Sequence, residues 1–252
     1  MPDVLVTTEG AIRTLTLDRP DKRNALNDAL IAALKDALRE ADADESLWAI
    51  VIRGAGKDFC SGADLSALQK IATASYEENI EDARGLAELF ALIRSVRVPV
   101  IAAVHGRALA GGCGLALGCD LVVAGESARF GFPEVKIGFV PAMVAAILRR
   151  NLGEKKSFEL LTQGFEFTAA EALQLGLINR VVPDDELAAA VIDFADVYTK
   201  VSGSAVAMTK RLLYDIDADT YQTAIEKGVT VNATARMTDD CQKGIAKFLK
   251  KD

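Results

Sequence analysis

The sequence predicts an α/β protein, and two observations lead to this prediction. In the first half of the chain, short apolar runs alternate with stretches of helical periodicity, which is typical of parallel strands joined by helical crossovers. From about Pro141 onward, the apolar residues follow an almost wholly helical spacing. The chain has 252 residues, 50% of them hydrophobic, so it can bury a sizeable core.

Alternation, capping residues and glycine or proline boundaries define the elements of the first half. Apolar residues alternate after a turn at Glu9-Gly10, which indicates two short strands. Asn27 is a good helix cap, and Leu26 before it is placed to pack on Ile31, as in a hydrophobic staple. The predicted segments are two strands in 4–18, a helix opened by residues 26–27, a strand at 48–54, a glycine-punctuated loop at 54–65, a polar helical stretch through 92, a strand at 99–106, a loop opening a helix at 108–118 and a strand at 119–125.

The second half contains clear helix boundaries. Thr168 and Glu171 form a capping box, and Gly176 ends the short helix that follows it. The last predicted helix has acidic residues in its first turn and lysines in its last, which complements the helix dipole. The longer amphipathic runs cover residues 185–198, 203–214, 221–236 and 239–250.

Charge and composition narrow the classes of partner. The formal net charge is −7, which argues against nucleic-acid binding because phosphate neutralisation needs clustered Lys and Arg, and argues weakly against docking on anionic lipid. The first ten residues lack the basic region and apolar core of a signal peptide, and no apolar run is long enough to span a membrane. We therefore expect a soluble, cytoplasmic protein with no nucleic-acid or membrane partner.

The cysteines and the single histidine suggest no metal site. The cysteines, at positions 60, 113, 119 and 241, form no CxxC pair and have no histidine at ligand spacing. We expect them to be free thiols in a reducing compartment. One histidine, His105, cannot build a histidine cage, and we expect it to be a core or loop residue. Cys113 lies in a glycine-rich loop, but no histidine is placed to activate it, so we expect it to pack.

Glycine-rich segments raise the possibility of nucleotide binding, but their spacing does not fit it. A dinucleotide fingerprint needs three glycines at GxGxxG spacing, and Leu117 stands where the third would follow Gly112 and Gly114. A phosphate loop needs Ser or Thr after Gly56-Lys57, and Asp58 stands there. We expect no nucleotide site in these segments.

Two loops with small residues follow separate predicted strands, at residues 61–64 (SGAD) and 110–113 (AGGC). Small residues allow a ligand to approach main-chain N–H groups closely. The second loop also opens a helix, whose first N–H groups lack intrahelical partners. Two such donors aimed at one oxygen form an oxyanion hole. On spacing alone, glycines for tight turns and close packing remain the alternative.

Four further segments are informative as a set: residues 17–27 (LDRPDKRNALN), 59–65 (FCSGADL), 99–120 (PVIAAVHGRALAGGCGLALGCD) and 130–141 (FGFPEVKIGFVP). In content and order they resemble the crotonase superfamily, the enoyl-CoA hydratase/isomerase family, along nearly the whole chain. The resemblance implies a crotonase-like spiral of ββα repeats with a C-terminal helical trimerisation region. It divides the chain into a spiral core at 1–195 and a helical region at 196–252 that packs on neighbouring subunits, in a homotrimer or dimer of trimers.

The resemblance also implies the chemistry. The N–H groups of Ala63 and Gly111 would hold a thioester carbonyl of an acyl-CoA as it becomes an enolate, and Glu134 would move a proton at the α-carbon. Burial beside an apolar acyl pocket would raise the pKa of the Glu134 carboxyl towards working pH, and residues 135–140 offer apolar side chains for that pocket. No cofactor is expected, because CoA arrives as part of the substrate.

The segments that bind CoA in the family supply further candidates. Lys22 and Arg23 are expected phosphate contacts, with an exposed surface charge as the alternative for each. Asp64 has a structural alternative, which is to cap the turn that holds Ala63. The remaining candidates are Ala25, Ser61 and Leu65 near adenine and pantetheine, and Phe248 and Lys251 on the helix that reaches a neighbouring subunit's CoA.

The chain departs from the family's hydratase pattern at Gly114, where those enzymes carry a second glutamate. Adding water asks one group to activate the water and another to deliver a proton, whereas moving a double bond needs only one base. A lone Glu134 therefore favours isomerisation of a 3-enoyl-CoA to a 2-enoyl-CoA. A second departure is Ala142-Met143-Val144, where many hydratases are glycine-rich, and it leaves chain-length specificity open.

Three alternatives remain at this point. Hydration stays open if an acid from another loop replaces the missing glutamate, or if Glu134 alone activates a water. A catalytically silent paralogue that binds acyl-CoA or a protein is the alternative of another class, supported only by Gly114. An RNA-binding role is weakened by the net charge.

Overall fold

The computed structural model describes residues 2–250, which form nine strands and eleven α-helices joined by turns and short 3-10 segments. The strands are β1 (Val4–Glu9), β2 (Ile12–Leu17), β3 (Ala49–Gly54), β4 (Val100–Val104), β5 (Arg107–Leu109), β6 (Leu121–Gly125), β7 (Arg129–Gly131), β8 (Glu166–Thr168) and β9 (Arg180–Val182). The helices are α1 (Asp28–Ala43), α2 (Leu65–Ile71), α3 (Tyr76–Ser95), α4 (Gly111–Gly118), α5 (Ala142–Asn151), α6 (Glu154–Gln163), α7 (Ala169–Gln174), α8 (Leu187–Asp196), α9 (Gly203–Asp215), α10 (Tyr221–Arg236) and α11 (Asp239–Leu249).

The strands form two sheets. The larger has the order β1-β2-β3-β4-β6-β9, in which only the β1–β2 hairpin is antiparallel. The smaller has the order β5-β7-β8, with β5 and β7 parallel and β8 antiparallel to β7. The predicted α/β class is confirmed, and the parallel pairs are those that helical crossovers connect.

The central strands lie between two apolar layers. On β3, Ile50 and Ile52 face the main core, which includes the buried faces of α1 and α3, while Ala49 and Val51 face a second cluster. That cluster is closed by Leu187, Val191 and Ala195 of α8. Because both faces of the parallel sheet are covered, β3 and β4 read as continuous apolar runs rather than alternating ones.

Capping residues set the helix boundaries, as predicted. The Asn27 side chain accepts a hydrogen bond from the Leu30 N–H at the start of α1. The capping box of α7 has both of its hydrogen bonds. The Glu171 N–H donates to the Thr168 hydroxyl, and the Thr168 N–H donates to the Glu171 carboxylate. Gly176 follows this helix with a φ of +76°, a left-handed conformation that favours glycine.

One expectation for the second half is wrong, because that half is not almost wholly helical. The strands β8 and β9 lie within it. Each has three residues, which is too short for an alternating pattern to register. Both are strands because of tertiary pairing: β8 adds to β7, and β9 extends the large sheet beside β6.

A buried lysine ties the C-terminal helices to the core. The Lys210 ammonium of α9 donates to the carbonyls of Ile93 and Val98, each at 2.9 Å, and lies 2.7 Å from the Asp120 carboxylate. Beyond α9, helices α10 and α11 carry exposed large apolar side chains. The proposed boundary at residue 195 stays a prediction. Within residues 2–250, no helix combines the length and apolar character of a membrane span.

Candidate active site

The first loop holds Ala63 between two backbone hydrogen bonds. The Leu26 N–H donates to the Gly62 carbonyl at 2.7 Å, and the Asp64 N–H donates to the Leu26 carbonyl at 2.9 Å. Within residues 2–250, the Ala63 N–H itself donates to no protein acceptor. Gly62 has a φ of +96°, and a Cβ there would lie 2.8 Å from the Ala110 Cβ. The glycine therefore lets the two small-residue loops meet.

The buried carboxylate of Asp64 stabilises this loop through contacts with neighbouring protein groups. Its carboxylate accepts from the Ser66 N–H at 3.0 Å and pairs with the Arg19 guanidinium at 2.6 Å, and its side chain is buried. These interactions, with the Ser66 N–H first, hold the pKa of the Asp64 carboxyl below its usual value. Asp64 therefore caps the first turn of α2, beside Ala63.

Asn24 joins the same support. It is fully buried, and its amide donates to the carbonyls of Ala55 and Asp58 at 2.8 Å each, while its oxygen accepts from the Arg19 N–H. Its φ of +53° lies in the left-handed region, which asparagine tolerates better than most residues. Segment 19–26 is therefore fixed against segment 54–64 by polar side chains whose bonds are satisfied.

The second loop is positioned by the backbone. Ala110 has φ +51° and ψ −128°, a strained conformation for alanine, and its N–H donates to the Gly131 carbonyl at 2.8 Å. Gly111 begins α4, and within residues 2–250 its N–H donates to no protein acceptor. A Cβ on Gly112 would lie 2.4 Å from the Cys60 carbonyl oxygen. The close approach of α4 to Cys60 therefore requires glycine.

These two loops open into one cavity of about 570 Å³. Ala63, Gly111 and Glu134 all line it, and Ser61 lies on the same wall. The rest of the lining near them is apolar and includes Leu26, Leu86, Ile137, Phe139, Val140 and Met143. The cavity thus brings together two N–H donors, the Glu134 carboxyl group and apolar walls, the combination expected of an enolate site.

Glu134 lies in a 3-10 turn, Pro133–Ile137, that follows β7 and the buried ring of Phe132. One of its carboxylate oxygens, Oε2, is buried and has no hydrogen-bond partner within the described residues. Burial raises the pKa of the Glu134 carboxyl, and a hydrogen bond from its own N–H partly opposes that rise. A carboxyl with a raised pKa can both accept and donate a proton near neutral pH.

The space above Gly114 is already filled. A Cβ at this position would lie 2.8 Å from Val144 Cγ2 and 3.0 Å from Phe90 Cζ. Gly114 is buried and does not line the cavity. A larger side chain at 114 would have to displace α5 or α3. The two positions at which the sequence departs from the hydratase pattern, Gly114 and the segment around Val144, therefore pack against each other.

A second group of polar residues lies at the same cavity. Lys70 Nζ lies 2.7 Å from the Asp28 carboxylate and 3.9 Å from that of Asp82. Burial, followed by the neighbouring Asp28, raises the pKa of the Asp82 carboxyl. Asp28 and Asp82 both line the cavity. Sequence reasoning missed these three residues, because positions 28, 70 and 82 belong to three helices with no shared motif.

The predicted CoA contacts fall into different environments. Lys22 and Arg23 are exposed, and neither lines the cavity, while Ala25 is buried under the loop. Leu65 is the first residue of α2. Phe248 is 73% exposed on α11. Lys251 lies outside the described residues.

His105 forms a hydrogen bond with the backbone, and Cys60 and Cys113 are buried thiols. His105 Nε2 lies 3.0 Å from the Gly56 carbonyl, to which it donates, and burial lowers its pKa. Cys113 is buried, and burial raises the pKa of its thiol, as it raises that of Cys60 to about 12. Within residues 2–250, no three His, Cys, Asp or Glu side chains cluster as metal ligands would.

Comparison with known proteins agrees with this geometry. The chain matches the family Enoyl-CoA hydratase/isomerase over residues 7–252. It belongs to the enoyl-CoA hydratase/isomerase family. Its relatives include a Thermus thermophilus protein named, provisionally, as an enoyl-CoA hydratase, which is 38% identical over 96% of each chain, and the 2,3-dehydroadipyl-CoA hydratase of Escherichia coli K12, which is 34% identical over 100% of this chain and 97% of that protein.

The crystal structure of an enoyl-CoA hydratase from Mycobacterium smegmatis superposes with a TM-score of 0.95 at 35% identity, covering 100% of this chain and 97% of the other. The predicted crotonase-like fold with a C-terminal helical region is therefore confirmed. The names of these relatives refer to hydratases, so the preference for isomerisation needs its own argument.

Proposed function

We propose that this family member stabilises the enolate of an acyl-CoA thioester and isomerises 3-enoyl-CoA to 2-enoyl-CoA. One observation carries the proposal: a carboxylate oxygen of Glu134 and the N–H groups of Ala63 and Gly111, none of which has a hydrogen-bond partner within residues 2–250, share one cavity. No cofactor takes part in this proposal, because the thioester itself acidifies the α-carbon.

The proposed steps balance with a single acid–base group. The thioester carbonyl accepts hydrogen bonds from the two N–H groups, and the Glu134 carboxylate takes a proton from C2. The electron pair moves onto the carbonyl oxygen as the enolate forms, and the conjugated double bond shifts to C2–C3 when C4 receives the proton back from Glu134. Donors that are fixed in an apolar cavity stabilise the growing oxyanion without reorganising, and each is worth about 10²–10³ in rate.

The environment of Gly114 favours isomerisation over hydration. Val144 and Phe90 fill the space beside position 114, so no second acid stands there. Hydration is the second candidate function, and Asp82 is the observation that favours it, because its carboxyl has a raised pKa and lines the same cavity. The names of the relatives also support hydration.

The CoA contacts and the assembly stay part of the proposal. Lys22 and Arg23 are exposed on segment 19–26, and they are the proposed phosphate contacts. Arg23 also lies 3.9 Å from the buried carboxylate of Asp58. Phe248 and other apolar side chains of α10 and α11 are exposed in the single chain, which supports their burial in a homotrimer or dimer of trimers. Lys251 and Leu65 remain predicted contacts on sequence grounds alone.

Chromatographic separation of the products followed by mass analysis, with a 3-enoyl-CoA and, separately, a 2-enoyl-CoA, tests the proposal, because the two isomers have the same mass. We expect double-bond migration without gain of mass, and slow or no addition of one water to the 2-enoyl substrate. Rapid addition of water would instead identify a hydratase and direct attention to Asp82.

The variant Glu134→Gln separates catalysis from binding. It keeps the shape of the side chain but removes the base, so we expect turnover to fall by about 10³-fold or more while the dissociation constant for CoA changes little. Glu126→Gln, at an exposed position outside the cavity, is the matched control. A silent paralogue would bind acyl-CoA but would neither turn over either isomer nor exchange the α-protons.

A further inference from the structure

A second apolar cavity lies beside the catalytic cavity. It is a groove of about 310 Å³ between α3 and α5, with the C-terminal end of α4 as its floor, and we call it the α3–α5 groove. Most of its lining is apolar or small: Ala87, Phe90, Ala91, Gly118, Ala146 and Ile147. Met143 lines both this groove and the catalytic cavity. The two cavities therefore share a wall.

Helix α4 runs from one cavity to the other. Gly111, at its first residue, lines the catalytic cavity, and Gly118, at its last, lines the groove. Seven residues of α-helix span about 10 Å. Gly114 lies between them on the same helical face, where Val144 and Phe90 fill the space above it, so a passage between the two cavities has to run past Met143.

Met143 is the movable part of the shared wall. Val144 and Phe90 are buried and packed over Gly114, whereas Met143 is only half-buried. A methionine side chain is unbranched and rotates about three bonds, so it can move aside without a shift of the backbone.

We propose that the α3–α5 groove binds the distal part of a long, unbranched acyl chain, which enters from the catalytic cavity past Met143. This proposal rests on the proposed function, because it takes the thioester carbonyl to sit at the N–H groups of Ala63 and Gly111. It names the substrate class as acyl-CoA thioesters whose chain is long enough to pass the full length of α4.

The charged groups at the far end of the groove pair with one another. Arg94 and Arg150 both line the groove, and both guanidinium groups pair with Asp217, Arg94 at 3.2 Å. Arg94 also stacks over the Tyr214 ring, 4.4 Å from its centroid. The two cations share this one carboxylate, so the apolar lining of the groove, rather than its charges, favours a hydrocarbon chain.

Filling the groove tests the proposal. Ala146 is exposed on α5 and lines the groove, so Ala146→Trp adds bulk there without disturbing the core. Ala188→Trp, at an exposed position of α8 outside the groove, is the matched control. The readout is the ratio of dissociation constants of hexanoyl-CoA and dodecanoyl-CoA, measured by calorimetry, because these saturated thioesters bind without the isomerisation step.

We expect wild type and Ala188→Trp to bind dodecanoyl-CoA at least tenfold more tightly than hexanoyl-CoA, since each buried methylene adds affinity. In Ala146→Trp this preference is expected to fall about tenfold, and in Met143→Ala to stay or grow. An unchanged preference in Ala146→Trp, or no preference in wild type, overturns the proposal. The binding ratio is independent of which enoyl reaction occurs, so failure of the proposed isomerase activity is seen separately, in the product analysis.

Discussion

The two loops that present the proposed oxyanion donors perform the same task by different means. The loop of Ala63 is held by polar side chains, with Asp64 pairing Arg19 and Asn24 bridging two segments. The loop of Gly111 is held by close backbone packing, with Gly112 against Cys60 and Ala110 in a strained conformation. One loop therefore depends on satisfied charge, and the other depends on the absence of side-chain volume.

This difference teaches how each loop can fail. Removing one partner of a buried ion pair leaves the other charge without compensation. Adding even one methyl group where backbones touch forces the packing apart. The same N–H geometry is thus sensitive to charge in the first loop and to volume in the second.

The largest expected effect is in the first loop, for Arg19→Ala. This change leaves the buried Asp64 carboxylate without its guanidinium, so we expect the free energy of unfolding to fall by about 3–5 kcal/mol. Urea denaturation measures it. Arg39→Ala, which removes an exposed arginine of α1 whose partner Asp36 is also exposed, is the matched control and should change stability by less than about 0.5 kcal/mol. Equal losses in the two variants would contradict the role given to the Arg19–Asp64 pair.

A somewhat smaller effect is expected in the second loop, for Gly112→Ala. The new Cβ would lie 2.4 Å from a carbonyl oxygen of Cys60, and we expect a loss of about 3 kcal/mol together with lower turnover, because α4 must shift. Gly85→Ala is the control. Gly85 is in α3 with open space around it, so a gain of about 0.5–1 kcal/mol is expected there. If both alanine variants were stable, the volume argument would fail.

The smallest effect is a pH dependence that belongs to the first loop alone. The folded-state pKa of Asp64 is lower than its unfolded value of about 3.9. The ionised carboxylate therefore adds to the free energy of unfolding above that pH, and this stabilisation is lost as the pH falls through the folded pKa. The stability difference between wild type and Asp64→Asn should therefore be largest at neutral pH and shrink below about pH 4. A difference that stays constant down to pH 2 would rule out this electrostatic support.

Local sequence motifs predict some elements of this fold, whereas elements that depend on tertiary pairing escape prediction. The short capping motifs at Asn27 and Thr168 are local, and the structure confirms both. Ala63 and Gly111 stand out because small residues follow predicted strands, and the family resemblance adds their proposed role. Strands β8 and β9 escape prediction because tertiary pairing alone makes them strands.

Long-range packing accounts for what sequence reasoning missed. The contact between Gly114 and Val144 joins residues thirty positions apart, and the pairing of Arg19 with Asp64 spans forty-five. No local pattern encodes either contact. The missing glutamate at 114 is visible in the sequence, but the side chains of Val144 and Phe90 that fill its place are visible only in the fold.

Transfer of deuterium within the substrate tests most directly whether one carboxyl group carries both proton steps. The substrate is a 3-enoyl-CoA labelled with deuterium at C2, and the 2-enoyl product is analysed for deuterium at C4. Glu134 Oε2 is buried, so the account predicts that a measurable fraction of the label moves from C2 to C4 in ordinary water. Isomerised product with no label at C4, even at the earliest times, would mean that two separate groups or free solvent carry the proton.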